Sequence, residues 1–351
     1  MKVTEAAFVQ GFIRMCDDGF KQNWHERNGG NLSYRIKPEE VEEVKEELSY
    51  DKPWQPIGTS VPGLAGEYFL VTGSGKYFRN VILDPAANIC IIRVDEKGEN
   101  FQICWGLVNG GRPTSELPSH LMNHEVKKQI TGGKHRVIYH AHPTNTIALT
   151  FVLPLEDKVF TRELWEMATE CPVVFPDGIG VVGWMVPGGR DIAVATSELM
   201  KKYDVAIWAH HGMFCSGEDF DLTFGLMHTV EKSAEILVKV LSIQPNKLQT
   251  ITPQNFRDLA RDFKVTLPEE FFQININHPV VSAIHILNSF QYRLLCTLSW
   301  SKTIAISMKY PFINWCQHLC YCLLYQTICY CRNSQLSLAS IFFWNFYSLY
   351  W

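Results

Sequence analysis

Apolar residues change spacing along the first 270 positions, and the changes mark the elements. Phe8, Val9, Phe12, Ile13, Cys16 and Phe20 share one stripe at helical spacing, so the chain opens with an amphipathic helix. A polar glycine turn, Trp24-His25-Glu26-Arg27-Asn28-Gly29-Gly30-Asn31, leads into a strand-like run, Leu32 to Ile36. Residues 38–50 are acidic and predict a solvated surface helix, and residues 52–66, rich in Pro and Gly, predict a loop. Phe69-Leu70-Val71-Thr72, Ile89 to Val94 and Phe101 to Trp105 read as strands. Pro113-Thr114-Ser115-Glu116 opens a helix whose apolar face is Leu117, Leu121, Met122, Val126 and Ile130. Val137-Ile138-Tyr139 is again strand-like. Helical segments follow around 144–153 and at 163–166, then short strands near 172–185 and a helix over about 189–202. A strand from Val205 to Ala209 precedes an amphipathic helix over about 221–243. No repeat or linker interrupts this order, so residues 1–270 read as one α/β domain. The irregular alternation predicts a mixed sheet between helical layers.

Composition changes near residue 270. From Phe271 to Trp351 there is no Asp, Glu or Gly, and Val and Ala are scarce. These five residues share codons that begin with G. Their joint loss, with Ile, Leu, Tyr, Phe, Cys, Ser and Asn in excess, points to A/T-rich sequence translated outside a selected reading frame. Residues 271–351 are therefore expected to be a read-through, frameshift or gene-model artefact. A cut in Pro268-Glu269-Glu270 is expected to lose few core contacts. Two other readings of the tail rank lower. Cys316, His318, Cys320, Cys322, Cys329 and Cys331 could bind a soft metal, but no Gly or Asp turn separates the pairs. The uncharged stretch between Lys309 and Arg332 is long enough to span a bilayer, but Asn314, Gln317, His318 and Gln326 interrupt it, and no membrane partner is expected.

Charge narrows the function classes. The formal net charge is −4 and no basic stripe is present, so nothing favours nucleic acid. The N-terminus carries acid early and has no long apolar run, so no signal peptide is expected. Cys16, Cys90, Cys104, Cys171 and Cys215 are scattered and read as buried thiols in a reducing compartment.

The chemistry gathers at strand ends. In His140-Ala141-His142, side chains two apart on a strand share a face, so both imidazoles point the same way. His211 ends another strand-like run. Three imidazoles, with Glu116 on a separate element, suit an open divalent-metal site. An isolated H-x-H is more often a solvated strand end. Its neighbours change the balance. Gly73-Ser74-Gly75 directly follows a strand and can turn its N–H groups inward as an anion nest. Asn28-Gly29-Gly30-Asn31 has the same backbone freedom, and Thr114-Ser115 sits at a helix start, where orphan N–H groups favour phosphate. Singly these are a turn, a loop and an N-cap. Together they describe a phosphorylated small molecule held beside a Lewis acid. Glu116 at a helix start is ordinarily a capping charge. Beside a metal it can instead move a proton at a carbon next to a polarised carbonyl.

Glu26 to Asn31, Val71 to Lys76, Leu83 to Asn88, Pro113 to Pro118, His140-Ala141-His142 and Phe175 to Gly178 together resemble the class II aldolase and adducin group. Within that group the chain is similar to the rhamnulose-1-phosphate aldolase family over about residues 5–267. The resemblance implies a three-layer α/β/α fold with a central mixed, largely antiparallel sheet. It implies cleavage of L-rhamnulose 1-phosphate to dihydroxyacetone phosphate and L-lactaldehyde. It also implies one Zn2+ per subunit, a cytoplasmic location and a homotetramer with sites at subunit contacts. Carried over by position, the zinc ligands match His140, His142 and His211, and the acid/base matches Glu116. Phosphate and substrate contacts match Asn28, Gly30, Asn31, Ser74, Gly75, Thr114 and Ser115. Glu170 matches a second acid/base offered across a subunit contact, with a surface or interface salt bridge as its rival reading. His210, where the family often has an aromatic, is expected to pack or face away. Lys76 and Arg79 read as a solvated face; His124, His135 and His228 as structural or exposed; Cys171 as an inert thiol; Trp105, Trp165, Trp184 and Trp208 as core. The tail has no counterpart in the family. A sibling aldolase or a ribulose-phosphate 4-epimerase is the nearest alternative, although the epimerase pattern carries Asp where Glu116 stands. A non-catalytic adducin-like interaction domain is an alternative of another class; such domains lack the histidines.

Overall fold

Among the residues that the computed structural model describes, 1–244 and 247–272, nine strands form one sheet. They are β1 (Asn31–Arg35), β2 (Gln55–Pro56), β3 (Tyr68–Thr72), β4 (Ile89–Val94), β5 (Asn100–Gly106), β6 (Val137–Ala141), β7 (Gly180–Val182), β8 (Val205–Trp208) and β9 (Gly212–Gly217). Their order is β2-β5-β4-β3-β1-β6-β9-β8-β7, with every pairing antiparallel except β7 with β8.

The sheet is apolar on both faces because helices cover both. Leu32, Tyr34, Val137, Tyr139, Ala141, Val205, Ile207, Met213 and Cys215 belong to the cluster that includes the Ala7–Lys21, Asp157–Trp165 and Phe220–Ile243 helices. On the other face Phe69, Val71, Cys90 and Ile92 cluster with Leu117 and Leu121, and Ile138, Ala206, Trp208 and Phe214 with Ile192 and Met200. Those partners lie on the Leu117–Ile130 and Arg190–Met200 helices. Period-two alternation along each strand thus feeds two separate apolar layers. This is the expected three-layer α/β/α arrangement around a mixed, largely antiparallel sheet.

Antiparallel pairing also sets where the loops fall. The start of β1, the ends of β3 and β6 and the start of β9 lie at one edge of the sheet, since Asn31 pairs with His140 and Ala141 with Met213. All the candidate chemistry except Glu170 is carried by segments that meet there.

Several expectations need correction. The segment expected as short strands near 172–185 contains a helical turn, Cys171–Val174, and one strand, β7. The helix expected to open at Thr114 begins at Leu117, with Thr114 and Ser115 in the preceding turn. Trp165 and Trp208 are core, but Trp184 is 66% exposed. The expectation that a cut before Phe271 costs few contacts also fails. Phe271 and Phe272 are buried, Phe271 packs edge-on against Trp165 and Phe272 stacks on Phe256. Short aromatic pairs at a chain segment rich in charge are easily missed, since two residues carry no periodicity. The soft-metal and bilayer readings of the tail lie outside the described residues. No helix among the described residues is long and apolar enough to cross a membrane.

Candidate active site

His140 lies in β6, His142 one residue past its end, and His211 in the tight turn between β8 and β9. β6 and β9 are paired, so the turn is carried directly beside the strand end. One ring nitrogen from each of the three histidines falls within 4.8 Å of the others. The other ring nitrogen is engaged in two of them. His140 Nδ1 donates to the Met213 carbonyl at 3.0 Å, and His142 Nδ1 donates to a Glu26 carboxylate oxygen at 2.6 Å. This leaves the two Nε2 atoms facing inward, buried and without a hydrogen-bond partner. Buried polar atoms are rarely left so, and two aimed at a common point with a third imidazole are donors suited to a divalent ion. Burial holds His140 well below the ordinary imidazole value, reinforced by His142 and His211 beside it. His211 is pushed down to about 4, first by burial and then by His142. Neutral rings are the ligating form.

Glu116 stands at the N-cap position of the Leu117–Ile130 helix but caps nothing with its side chain. Its carboxylate turns inward. Oε2 accepts from Asn31 Nδ2 at 2.8 Å and lies 3.6 Å from His140 Nε2. Burial pushes its carboxyl up to about 7, partly offset by the Asn31 hydrogen bond. A carboxyl near neutrality beside three imidazoles can exchange a proton with a bound substrate.

The three candidate anion-binding segments lie at the same edge. Gly30 adopts a φ of +74°, and a Cβ there would come within 2.5 Å of His25 Nδ1 and 2.7 Å of the His140 carbonyl, so no larger residue fits. His25 fastens this turn: Nδ1 donates to the Gly29 carbonyl at 3.0 Å, and Nε2 accepts from the Tyr139 hydroxyl at 2.6 Å. Gly75, with a φ of +71°, lets Gly73-Ser74-Gly75 curl back. Ser74 N donates to the Arg112 carbonyl and Thr114 N to the Thr72 carbonyl, which ties this turn to the Thr114-Ser115 segment. Asn28, Ser74, Gly75 and Ser115 are exposed at that edge, whereas Asn31 and Thr114 are buried.

Two sequence candidates stand apart. Glu170 is exposed, just before the Cys171–Val174 turn, and no hydrogen bond or ion pair joins its side chain to the histidine group among the described residues. His210 adopts a left-handed φ of +62°, hydrogen-bonds Thr150 Oγ1 through Nδ1 and packs on Phe151, away from the three clustered imidazoles. Glu26 was not singled out by sequence. It is an exposed acid in a charged turn, and only pairing with His142, far away in the chain, reveals it.

The comparisons with known proteins agree with this geometry. Residues 10–238 match the model for the class II aldolase and adducin N-terminal domain. The chain is 53% identical over 259 residues to a rhamnulose-1-phosphate aldolase from Mannheimia succiniciproducens, covering 74% of this chain and 95% of that protein. It is 48% identical over 263 residues to one from Klebsiella pneumoniae, covering 75% and 95%. Among solved structures, a sugar-phosphate aldolase from Thermotoga maritima superposes with a TM-score of 0.60 at 28% identity, covering 68% of this chain and 97% of that one.

Proposed function

The chain belongs to the class II aldolase and adducin N-terminal domain family, and on that premise we propose that it cleaves L-rhamnulose 1-phosphate into dihydroxyacetone phosphate and L-lactaldehyde. It is a class II aldolase, a lyase. The observation that carries the finer reading is a match that covers 95% of two relatives bearing that name, joined to a buried Glu116 beside His140, one of three convergent imidazoles. The same histidines disfavour a non-catalytic interaction domain.

In this reading His140, His142 and His211 hold one zinc ion per subunit. When bound there, the ion would supply Lewis-acid chemistry at the substrate carbonyl. Glu116 handles the proton. In cleavage the bond between the carbon next to the carbonyl and the carbinol carbon breaks. The carbinol hydroxyl gives its proton to the second acid/base, Glu170 of a neighbouring subunit, as it becomes the aldehyde; the electron pair of the broken bond passes to the carbon next to the carbonyl, and Glu116 in its protonated form delivers a proton there. In synthesis it removes that proton. Asn28, Gly30, Asn31, Ser74, Gly75, Thr114 and Ser115 seat the phosphate and the dihydroxyacetone half. Glu170, exposed in its own chain, serves the aldehyde half of a neighbouring subunit in a cytoplasmic homotetramer.

The deciding experiment compares kcat/KM for L-rhamnulose 1-phosphate, L-fuculose 1-phosphate and L-ribulose 5-phosphate under one set of conditions. The first should be preferred. A clear preference for either of the others would move the assignment to a sibling enzyme.

A further inference from the structure

Behind Glu116 and Asn31 runs a chain of buried polar side chains, His120, Ser33 and His124, that have no part in the proposed reaction. Asn31 Nδ2 donates to Glu116 Oε2, and Asn31 Oδ1 pairs with His120 Nε2. His120 Nδ1 meets Ser33 Oγ at 2.6 Å, and Ser33 Oγ meets His124 Nε2 at 2.8 Å. Asn31, Ser33, His120, His124 and Glu116 are all buried. The pieces come together because Asn31 and Ser33 share a face of β1, while Glu116, His120 and His124 recur every four residues at the start and along one side of the Leu117–Ile130 helix.

Donor and acceptor counts orient this chain in one direction only. In its ionised form Glu116 only accepts, so the Asn31 amide then presents its NH2 to Glu116 and its carbonyl to His120. His120 must then carry its hydrogen on Nε2. Burial lowers His120 to about 3 and His124 well below the ordinary range, so both rings are neutral, with one donor and one acceptor each. His120 Nδ1 therefore accepts, and the Ser33 hydroxyl donates to it. Ser33 Oγ in turn accepts from His124 Nε2–H. The chain ends at His124 Nδ1, which is buried with no hydrogen-bond partner. A bare lone pair there costs less than a stranded N–H, so the terminus agrees with the orientation deduced from the carboxylate end.

We propose that His120, Ser33 and His124 are positioning residues that lock the Asn31 amide with its NH2 toward Glu116, and so hold the carboxylate beside His140 for proton transfer. Without the His120 donor the Asn31 carbonyl loses its anchor, and the amide is held at the Glu116 end alone. The second Asn31 amide hydrogen, left free by the Glu116 bond, is oriented by the same lock. The proposal rests on Glu116 as the acid/base.

The test uses the metal-loaded enzyme and two readouts: steady-state cleavage, and proton exchange at the reacting carbon of dihydroxyacetone phosphate. His120→Phe removes both hydrogen bonds at similar volume. It should lower kcat and exchange by about tenfold or more while metal content is unchanged and KM moves by less than about threefold. His120→Gln, whose amide can still donate to Asn31, should restore most of the loss. In an Asn31→Ala background His120→Phe should cost less than about twofold, because the lock acts through Asn31. Full activity in His120→Phe, or an undiminished loss in the Asn31→Ala background, overturns the proposal. If His120→Phe does not fold, Ser33→Ala decides: a drop in exchange of about threefold or more supports the lock, and wild-type exchange refutes it. Glu116→Gln, measured alongside, separates the two readings. If it exchanges at the wild-type rate, the acid/base assignment fails. The lock on the amide is then judged by the 15N shifts of His120, which must report the neutral Nε2–H form; the Nδ1–H form overturns it.

Discussion

Glu26 accepts the Nδ1 hydrogen of His142 at 2.6 Å, and that bond fixes which nitrogen of His142 faces His140 and His211. The two residues lie on different loops, brought together where the start of β1 meets the end of β6. A carboxylate in this position fixes the tautomer and raises the basicity of a ligating ring. Glu26→Ala should weaken metal affinity by about tenfold to a hundredfold, the usual effect of losing such a partner. Competition against a chelator measures it directly. An unchanged affinity would mean the bond is incidental, since the Glu26 side chain is two-thirds exposed, at 67%.

Metal removal should abolish activity, and added zinc should restore it, with about one ion bound per chain. His142→Ala should lose metal and rate together. His210→Ala should keep both, because His210 points toward Thr150 and Phe151. Elemental analysis beside a rate assay reads all three proteins.

Glu116→Gln should bind metal normally and yet slow proton exchange at the reacting carbon by about a hundredfold or more, the scale of a positioned acid/base. Since Glu116 caps no helix N–H with its side chain, the melting temperature should fall little by loss of a cap. A large loss of stability with retained exchange would reverse the assignment.

Stability should fall in mild acid. Burial lowers His25 and His120 to about 3 in the folded chain, and His124 well below its ordinary value. Their folded values lie below the unfolded value, so their contribution is complete above about pH 6.5 and is lost as pH falls toward the folded values. Each adds a slope approaching about 1.4 kcal/mol per pH unit within that window. Urea titrations of metal-free protein from neutral pH down to about pH 4.5 should show the decline, and His25→Gln should make it shallower.

The catalytic unit should end beyond Phe272 instead of at Glu270. A chain stopped after Phe272 should be metal-loaded and fully active. One stopped at Glu270 loses the Phe271 and Phe272 rings, and Arg162 Nη1 loses their carbonyls as acceptors. Loss of a buried Phe costs about 3–5 kcal/mol, so the shorter chain should unfold at clearly lower denaturant. Equal stability of the two would place the boundary back at Glu270. A chain stopped after Phe272 that proved inactive, beside an active 351-residue chain, would show residues 273–351 to be required.

Much of this protein could be read directly from its amino-acid order. Period-two runs marked β1, β3, β4, β5 and β6, and helical stripes marked Ala7–Lys21 and Phe220–Ile243, because burial of one face imposes a repeat that local sequence must carry. His140-Ala141-His142 was legible for the same reason: spacing along a strand fixes a shared face. The turn glycines Gly30 and Gly75 were legible because only glycine enters positive φ without cost. What sequence could not supply was pairing between distant segments. Glu26 with His142, Asn31 with Glu116, and Ser33 with His120 and His124 join residues with no common period. The same holds for Phe271 on Trp165, which decides where the core ends. The sheet order sets these partnerships. It brings the start of β1 beside the end of β6, and it lays the Leu117–Ile130 helix over that face. Local propensity depends on neighbours in the chain, whereas a hydrogen bond depends on neighbours in space. Only the assembled sheet makes the second kind known.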